Sequence, residues 1–239
     1  MSGPPSPSIF TLACTATTSA SAVDEERYIR LAKDWIRFLA RQRPLLVCLP
    51  AGFLVTGSLA EKDYWVTQLM MLSSECRLSL AFGIDIAHPG GKRYRLDSNI
   101  YFCKNGRLEC EIGSDDEVRA TRCIYLDGWK IGLLFAKELF PPEPRRQAMA
   151  LAPDFWLVLS HTGPTSRWRW ALRMLSRSAP VVLVGGAHEV PAALPYLVPR
   201  RRIAVAEQLT LFAHQPSRQR TPIANSDLSL SATHGTMHK

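Results

Sequence analysis

The sequence has no uninterrupted hydrophobic run that is long enough to cross a lipid bilayer. Its longest apolar stretch, residues 45–60, is broken by Pro50, Gly52 and Gly57. It is also shorter than the roughly 20 apolar residues that a membrane-spanning helix needs. The N-terminal residues lack the basic segment and the leucine-rich core of a secretory signal. We therefore expect no transmembrane segment and a cytoplasmic protein.

The six cysteines lack the spacing of a metal site or of a disulfide framework. No two of them are arranged as CxxC, and four lie inside apolar runs, which is typical of buried thiols. His161 and His188 end two predicted strands, at the edge where α/β folds place ligands. We interpret them as solvated or packed side chains, because no predicted helix carries two histidines at i,i+4 spacing. The sequence predicts no metal and no cofactor.

The basic side chains are concentrated in the second half of the chain. Residues 1–120 carry 14 basic and 14 acidic side chains, whereas residues 121–239 carry 15 and 7, which accounts for the whole net charge of +8. This arginine-rich half is compatible with an anionic partner, such as nucleic acid or a membrane surface. The segment RWRW at residues 167–170 favours an amphipathic helix with a cationic outer face.

Hydrophobic periodicity alternates between helices and strands along the chain. Residues 24–43 have apolar side chains three and four positions apart, with acidic residues at the start and arginines at the end, which indicates a helix. The short run LLVCL at residues 45–49 indicates a strand that is buried on both faces. This alternation predicts an α/β architecture with helices packed on sheets. The other predicted helices are 60–76, 143–151 and 167–177, and the other predicted strands are 9–13, 78–86, 99–103, 108–112, 129–136, 155–160, 181–186, 203–206 and 209–213.

The clearest turn signal is the Asn105–Gly106 pair, which predicts a two-residue β-hairpin. In that hairpin Cys103 faces Leu108, and Cys110 is expected on the same side. The two ends of the chain differ in composition from its centre, with Pro, Ser and Gly at the start and Ser, Thr, Gln, Pro and His at the end. We predict a single domain over 8–213, between disordered segments at 1–7 and 214–239.

The segment GWKIGLLFAKELFPPE at residues 128–143 resembles a strand and turn of the carbon–nitrogen hydrolase (nitrilase) superfamily. The superfamily pattern reads G-x-x-I-C-[YW]-[DE]-x-x-x-P-E. Gly132, the acid Glu138 and the closing Pro142–Glu143 fall in register with it. The position of the nucleophilic cysteine holds Ala136.

The other two catalytic positions of that superfamily are also replaced. The segment LLVCLPAGFLVTG at residues 45–57 resembles the strand that ends in Pro-Glu, but here Ala51 stands where the resemblance places the general-base glutamate. The catalytic lysine is expected about eight positions after the hairpin glycine, where this chain has Ser114. No lysine lies between Lys104 and Lys130.

The resemblance implies an α-β-β-α sandwich that pairs into a homo-oligomer, with a vestigial pocket and no catalytic residues. We place Ala51, Ser114, Ala136, Glu138 and Glu143 in that pocket. The superfamily's chemistry needs a thiolate, a base for its proton and a cation for the oxyanion, and alanine supplies none of them.

We therefore predict a pseudoenzyme that acts by binding a protein partner or a ligand. Two alternatives remain open. One is an amidase, nitrilase or acyltransferase-like enzyme with relocated residues, for which Cys48 is the candidate nucleophile. The other is a binder of an anionic partner through the arginine-rich half.

Overall fold

The computed structural model describes residues 8–14, 22–88, 95–113, 122–161, 166–185, 200–206 and 209–214. The predicted disordered segment at 1–7 lies outside these residues, as do Ser114, His188 and residues 215–239 of the disordered tail predicted at 214–239.

The described chain forms two β-sheets and four α-helices. The first sheet has the strand order β11-β12-β1-β2-β4-β5-β6, with β3 paired beside β4, and the second has the order β10-β9-β8-β7. The strands are β1 Ile9–Cys14, β2 Leu46–Cys48, β3 Leu54–Thr56, β4 Ser79–His88, β5 Arg95–Lys104, β6 Arg107–Gly113, β7 Cys123–Leu126, β8 Trp129–Phe135, β9 Phe155–Leu159, β10 Val181–Val184, β11 Arg200–Ala206 and β12 Leu209–His214. The helices are α1 Ala22–Ala40, α2 Leu59–Cys76, α3 Pro142–Leu151 and α4 Ser166–Leu175, and a 3₁₀ turn covers Ala136–Leu139.

Three apolar layers hold the sheets and helices together. The first sheet packs against α1 and α2 in an outer layer that includes Ile36 and Phe82. The two sheets face each other across a second layer, which includes Ala81 and Leu157 and is called the inter-sheet core below. The second sheet packs against α3 and α4 in a third layer around Leu172. The predicted α-β-β-α sandwich is therefore confirmed.

The long helices begin and end where local chemistry favours it. The Ser58 hydroxyl accepts a hydrogen bond from the Glu61 backbone N–H at 3.2 Å and so caps the start of α2. Arg77 ends α2 in the left-handed conformation, with φ +52°. No helix among the described residues is both long and apolar enough to span a membrane.

Two hairpins close with paired residues of positive φ, one predicted and one missed. Asn105 and Gly106 join β5 to β6 with φ +50° and +84°, as the sequence indicates. Asp127 and Gly128 join β7 to β8 with φ +48° and +82°. Neither this turn nor β7 was predicted from the sequence. Both turns have the geometry that matches the twist of the flanking strands.

A register shift in the first hairpin corrects the expected placement of the cysteines. Cys103 faces Leu108 as predicted, but a bulge places Cys110 opposite Phe102. Cys103 therefore faces the helix layer, whereas Cys110 packs against the inter-sheet core. An inserted residue reverses the alternation of side chains on the bulged strand, which sequence periodicity alone does not reveal.

The domain also runs one residue beyond the predicted boundary at 213. His214 ends β12, is buried, and its ring Nε2 lies 2.8 Å from the Thr11 hydroxyl oxygen on β1. The disordered tail itself stays a prediction.

Candidate functional site

The turn that follows β2 lies directly over strand β4. Ala51 in this turn is buried and belongs to the inter-sheet core. Gly83 on β4 makes room for it, because a Cβ at that position would lie 2.6 Å from the Ala51 Cα. Gly52 follows with φ +63°, a conformation that side chains other than glycine rarely adopt. The position resembling that of the general base is thus occupied by a buried methyl group.

Ala136 lies at the carboxyl end of β8, at the start of the 3₁₀ turn. Its side chain is buried in the layer between the second sheet and the helices α3 and α4. In the parallel register, Phe135 is paired with Leu159, so Ala136 follows β8 directly where Ser160 follows β9. The position resembling that of the nucleophile therefore carries a packed methyl group and no thiol.

Glu138 is the acid of the matched motif, and it forms a buried ion pair next to Ala136. Its Oε1 accepts a hydrogen bond from Arg122 Nη2 at 2.6 Å, and its Oε2 accepts one from the Phe135 backbone N–H at 2.7 Å. Arg122 is fully buried and also donates to the Gly113 carbonyl at 3.3 Å. Burial raises the pKa of the Glu138 carboxyl, and the Arg122 charge opposes that rise. This pair fixes the 3₁₀ turn against the end of β6.

Of the other residues predicted for the pocket, Glu143 lies on the protein surface. The Glu143 carboxylate lies on the exposed surface of α3, where it accepts from Arg146 at 2.9 Å and from Gln147 at 3.2 Å. Ser114 lies outside the described residues. Ala51 and Ala136 belong to different apolar layers. The convergence of Ala51, Ser114 and Ala136 on one pocket stays a prediction.

A histidine–aspartate pair lies beside the Ala51 turn. His161 Nε2, just beyond β9, is 2.6 Å from Asp85 Oδ2 on β4. The Asp85 side chain is 1% exposed and the His161 side chain is 44% exposed. A Cβ on Gly52 would lie 2.5 Å from His161 Cδ2 and 2.9 Å from Asp85 Oδ2. The pair therefore joins the two sheets at the edge where the matched β2 and β8 segments end.

Burial determines the chemistry of the described thiols. It raises the pKa of the thiols of Cys48, Cys76, Cys103, Cys110 and Cys123, that of Cys103 to about 11. Cys48 on β2 is completely buried in the inter-sheet core. A thiolate nucleophile requires the opposite shift. In the part of the chain that the structure describes, no group of three or more metal-binding side chains is present either.

The described residues also line a cavity of about 710 Å³ between the β5–β6 hairpin and β7. Cys110, Glu111 and Tyr125 are among the residues around it. Among the described residues that line it are neither Ala51, Ala136, Glu138 and Glu143 nor the members of the histidine–aspartate pair.

Comparison by sequence finds no match for the chain, whereas comparison with solved structures finds similar folds. No protein-family model matches the chain, and no curated protein matches it. The structure is similar to an amidase from Nesterenkonia sp. AN1 of the nitrilase superfamily, seen in a cysteine-to-alanine variant, with a TM-score of 0.62, 14% identity, and 91% of this chain and 94% of that chain covered.

Two further structures of that amidase show the same likeness. One variant carries the acetamide moiety of fluoroacetamide on its active-site cysteine, with a TM-score of 0.62, 12% identity and 90% and 92% of the two chains covered. A cysteine-to-alanine variant in complex with butyramide has a TM-score of 0.59, 12% identity and 89% and 92% covered. The chain therefore has the carbon–nitrogen hydrolase fold of the nitrilase superfamily.

Two charged residues, Asp85 and Arg122, are buried in ion pairs that the sequence did not predict. Asp85 is the single charged residue in the strand LSLAFGIDI, and a lone acid in a buried strand needs a partner. That signal was available, although it could not identify His161 as the partner. Arg122 precedes β7, and its burial depends on the β7–β8 hairpin, which was not among the elements predicted from the sequence.

Proposed function

We propose that this protein is a nitrilase-like pseudoenzyme, which binds a small ligand or a protein partner without cleaving a C–N bond. The observation that carries this proposal is the pair of methyl groups at Ala51 and Ala136. Both stand at positions that resemble catalytic ones, and both are buried in apolar layers. The carboxylate of Glu138, the acid of the matched motif, accepts hydrogen bonds from Arg122 and from a backbone N–H.

The thiols argue against a relocated cysteine nucleophile. Cys48 is the cysteine nearest in sequence to the Ala51 turn, but it is completely buried and its pKa is raised by burial. A neutral buried thiol has neither the charge nor the access to attack a carbonyl carbon. An enzyme with relocated residues would therefore have to use a group other than the described thiols.

A small amide is the ligand class that we favour. The similar amidase variant in complex with butyramide has alanine in place of a cysteine, so a nitrilase-type pocket can hold an amide without that thiol. Removing catalytic groups leaves the binding contributions of a site in place. The same reasoning supports ligand binding by this chain.

The first experiment measures turnover by the purified chain. We expect no release of ammonia from aliphatic amides, nitriles or ureides above the buffer rate, because no nucleophile is present at Ala136. Turnover that survives alkylation of all six cysteines would contradict the pseudoenzyme and every cysteine-based mechanism. Turnover that is lost when Cys48 alone is modified would identify a relocated nucleophile.

A variant with Ala51→Glu, Ser114→Lys and Ala136→Cys tests the proposed positions directly. If the three positions converge, the new cysteine should react with iodoacetamide faster than an exposed thiol, because a nearby lysine lowers its pKa. The matched control carries Ala136→Cys alone. Equal reactivity of the two variants would contradict the placement of Ala51 and Ser114.

A further inference from the structure

The two sheets end on the same side of the sandwich, where their end strands border one cavity. Among the described strands, β6 ends the first sheet and β7 ends the second. Three consecutive residues of each strand, 109–111 and 123–125, line the cavity of about 710 Å³, which is called the edge slot below. Because successive side chains point to opposite faces of a strand, this lining follows the edges of β6 and β7 and not one face of either sheet.

A polar contact joins the two hairpins near each end of the edge slot. Lys104, beside the β5–β6 turn, donates a hydrogen bond to the Asp127 carboxylate in the β7–β8 turn at 3.3 Å. At the other end of the strands, Arg122 before β7 donates to the Gly113 carbonyl of β6 at 3.3 Å. The strands β6 and β7 therefore run in opposite directions along the slot, and its length follows both of them.

The outer edge of β7 directs backbone hydrogen-bonding groups towards the slot. Leu126 and Trp129 flank the two-residue turn and are paired with each other. In such a hairpin the flanking residues exchange both backbone hydrogen bonds, and bonded and non-bonded pairs alternate from there along the ladder. Tyr125 and Cys123 therefore direct their N–H and C=O groups away from β8, to the side where the described sheet has no further strand. Such an edge is a template for an added strand.

The side chains around the slot favour an extended segment with a basic residue. The floor is apolar, because Phe102 and Ile124 belong to the inter-sheet core. The ring of Tyr125, which is 74% exposed, is available for a contact with the side chain of an added strand.

Two carboxylates on β6 give the slot its charge preference. Glu109 is the residue that the bulge leaves without a partner on β5, and its ion pair with Arg107, at 3.6 Å, lies on the exposed surface, where such pairs contribute little. Glu111 also lines the slot, and Lys62 approaches it at 3.7 Å. The ammonium of Lys104 in the lining is already paired with a carboxylate of the β7–β8 turn. The slot therefore favours a cationic side chain over an anionic one.

We propose that the edge slot binds an extended peptide segment of a partner protein, which adds to β7 as a further strand and places a Lys or Arg side chain near Glu109. Main-chain hydrogen bonds to Tyr125 and Cys123 supply affinity, and the basic residue supplies selectivity. Because β7 has four residues, the contact covers roughly 13 Å of peptide. The proposal rests on the partner-binding role stated above and names its surface and its class of partner.

The first test titrates the full chain into fluorescein-labelled Val-Lys-Val-Lys-Val-amide and follows fluorescence anisotropy. We expect saturable binding, and binding at least about tenfold weaker for the peptide with Glu in place of both Lys residues. Acetyl-lysine-amide carries the cation without a strand, so it should compete at least about tenfold less well than the unlabelled pentapeptide. Equal affinity for the Glu peptide, or equal competition by the single residue, would overturn the proposal.

Methylation of peptide nitrogens tests the backbone pairing without any change to the protein. Alternate amides of an added strand face its neighbour, so the lysine amides and the valine amides of the probe form two sets that point in opposite directions. We expect methylation of one set to weaken binding at least about tenfold and methylation of the other set to have a much smaller effect. Equal losses from both sets, or no loss from either, would overturn strand addition.

Two substitutions at Tyr125 separate its backbone from its ring. Tyr125→Pro removes an N–H that points away from β8, and proline is tolerated at such positions of edge strands. We expect it to weaken binding of the Lys peptide at least about tenfold, whereas Tyr125→Val keeps the N–H and should bind more tightly than Tyr125→Pro. Equal affinities of the two variants would contradict the backbone pairing. If Tyr125→Pro fails to fold, the methylated peptides decide the same point.

Glu109→Gln tests the charge preference on β6. We expect the Lys peptide to bind this variant several-fold more weakly, because the carboxylate nearest the basic side chain is neutralised. Glu75→Gln is the matched control, since that carboxylate pairs with Arg37 on the exposed surface of α1 and α2, and it should leave the affinity unchanged. Equal effects of the two substitutions would overturn the placement of the basic residue near Glu109.

These outcomes are distinct from those that test the pseudoenzyme. Cleavage of a C–N bond by the chain would contradict the pseudoenzyme and leave peptide binding at the edge slot unaffected, because Ala51, Ala136 and Glu138 are not among its described lining residues. Failure of the Lys peptide to bind at high micromolar chain concentration would overturn the edge slot as a peptide site and would leave the absence of turnover intact.

Discussion

Glu138, the acid of the matched motif, has a structural role in this protein. The carboxylate accepts hydrogen bonds from the Arg122 guanidinium and from the Phe135 backbone N–H. Because Arg122 is fully buried and donates to Gly113 as well, one ion pair ties β6, β7 and the 3₁₀ turn together. The physical role of Glu138 is therefore to neutralise a buried guanidinium and hold the turn.

We predict that Glu138→Ala destabilises the protein by about 3–5 kcal/mol, because it leaves the Arg122 charge buried without its partner. Urea unfolding followed by tryptophan fluorescence measures the change. Glu143→Ala is the matched control, since that carboxylate pairs with Arg146 on the exposed surface of α3, where ion pairs contribute little. Equal losses in the two variants would contradict the assigned role of Glu138.

At the scale of elements, the glycines at turns and strand contacts determine how the sheets fit the helices. Gly106 combines φ +84° with close packing, because a Cβ there would lie 2.6 Å from Ser74 Cβ on α2. Its backbone N–H also donates to the Ser73 hydroxyl at 3.1 Å. On β8, a Cβ at Gly132 would overlap the ring of Trp156 on β9. The motif glycine is thus a packing position between neighbouring strands.

We predict that Gly106→Ala lowers the free energy of unfolding by about 1–3 kcal/mol, from backbone strain and the contact with Ser74. Gly57→Ala is the control, because its nearest neighbour would be Glu61 Oε2 at 3.9 Å and its φ is not positive. Thermal unfolding by circular dichroism compares them. If Gly57→Ala lowered the free energy of unfolding as much as Gly106→Ala, the positive φ and the close packing of Gly106 would not explain the destabilisation.

At the scale of the whole molecule, the helices α3 and α4 form the outer face of the second sheet. Trp170 on α4 is 58% exposed. The Arg145 guanidinium lies 4.4 Å from its ring centroid and donates to the Leu139 and Phe140 carbonyls. Because the Arg145 side chain packs against the protein, it contributes less electrostatic repulsion between two copies of this helical face than the sequence suggests. Arg173 and Arg177 are exposed. As a second proposal, these two side chains bind an anionic partner.

We propose that the protein self-associates through this helical face, with Trp170 at its centre. Burial of a large exposed aromatic ring favours association, so Trp170→Glu should shift the sedimentation coefficient towards that of the monomer. Tyr125→Glu, on β7 and 74% exposed, is the control and should leave the distribution unchanged. A strict monomer for the unmodified chain at high micromolar concentration would contradict the proposal.

The sequence was sufficient to predict the α-β-β-α order of the four layers. Apolar periodicity is a local property, so α2 and the strand at residues 78–86 could be placed within a few residues of their observed ends. The alignment of residues 132–143 with the superfamily motif also depends on local sequence alone. This alignment places Ala136, which has no nucleophilic group, at the position of the cysteine.

The tertiary structure decided what the remaining polar groups do. Asp85 and His161 are 76 positions apart, and Arg122 meets Glu138 only because a hairpin folds β7 against β8. Burial of a charge depends on which distant elements close over it, and the bulge between β5 and β6 changes which face a side chain occupies. Local pattern therefore determined the elements of this protein, and the long-range packing of two sheets determined its charged pairs.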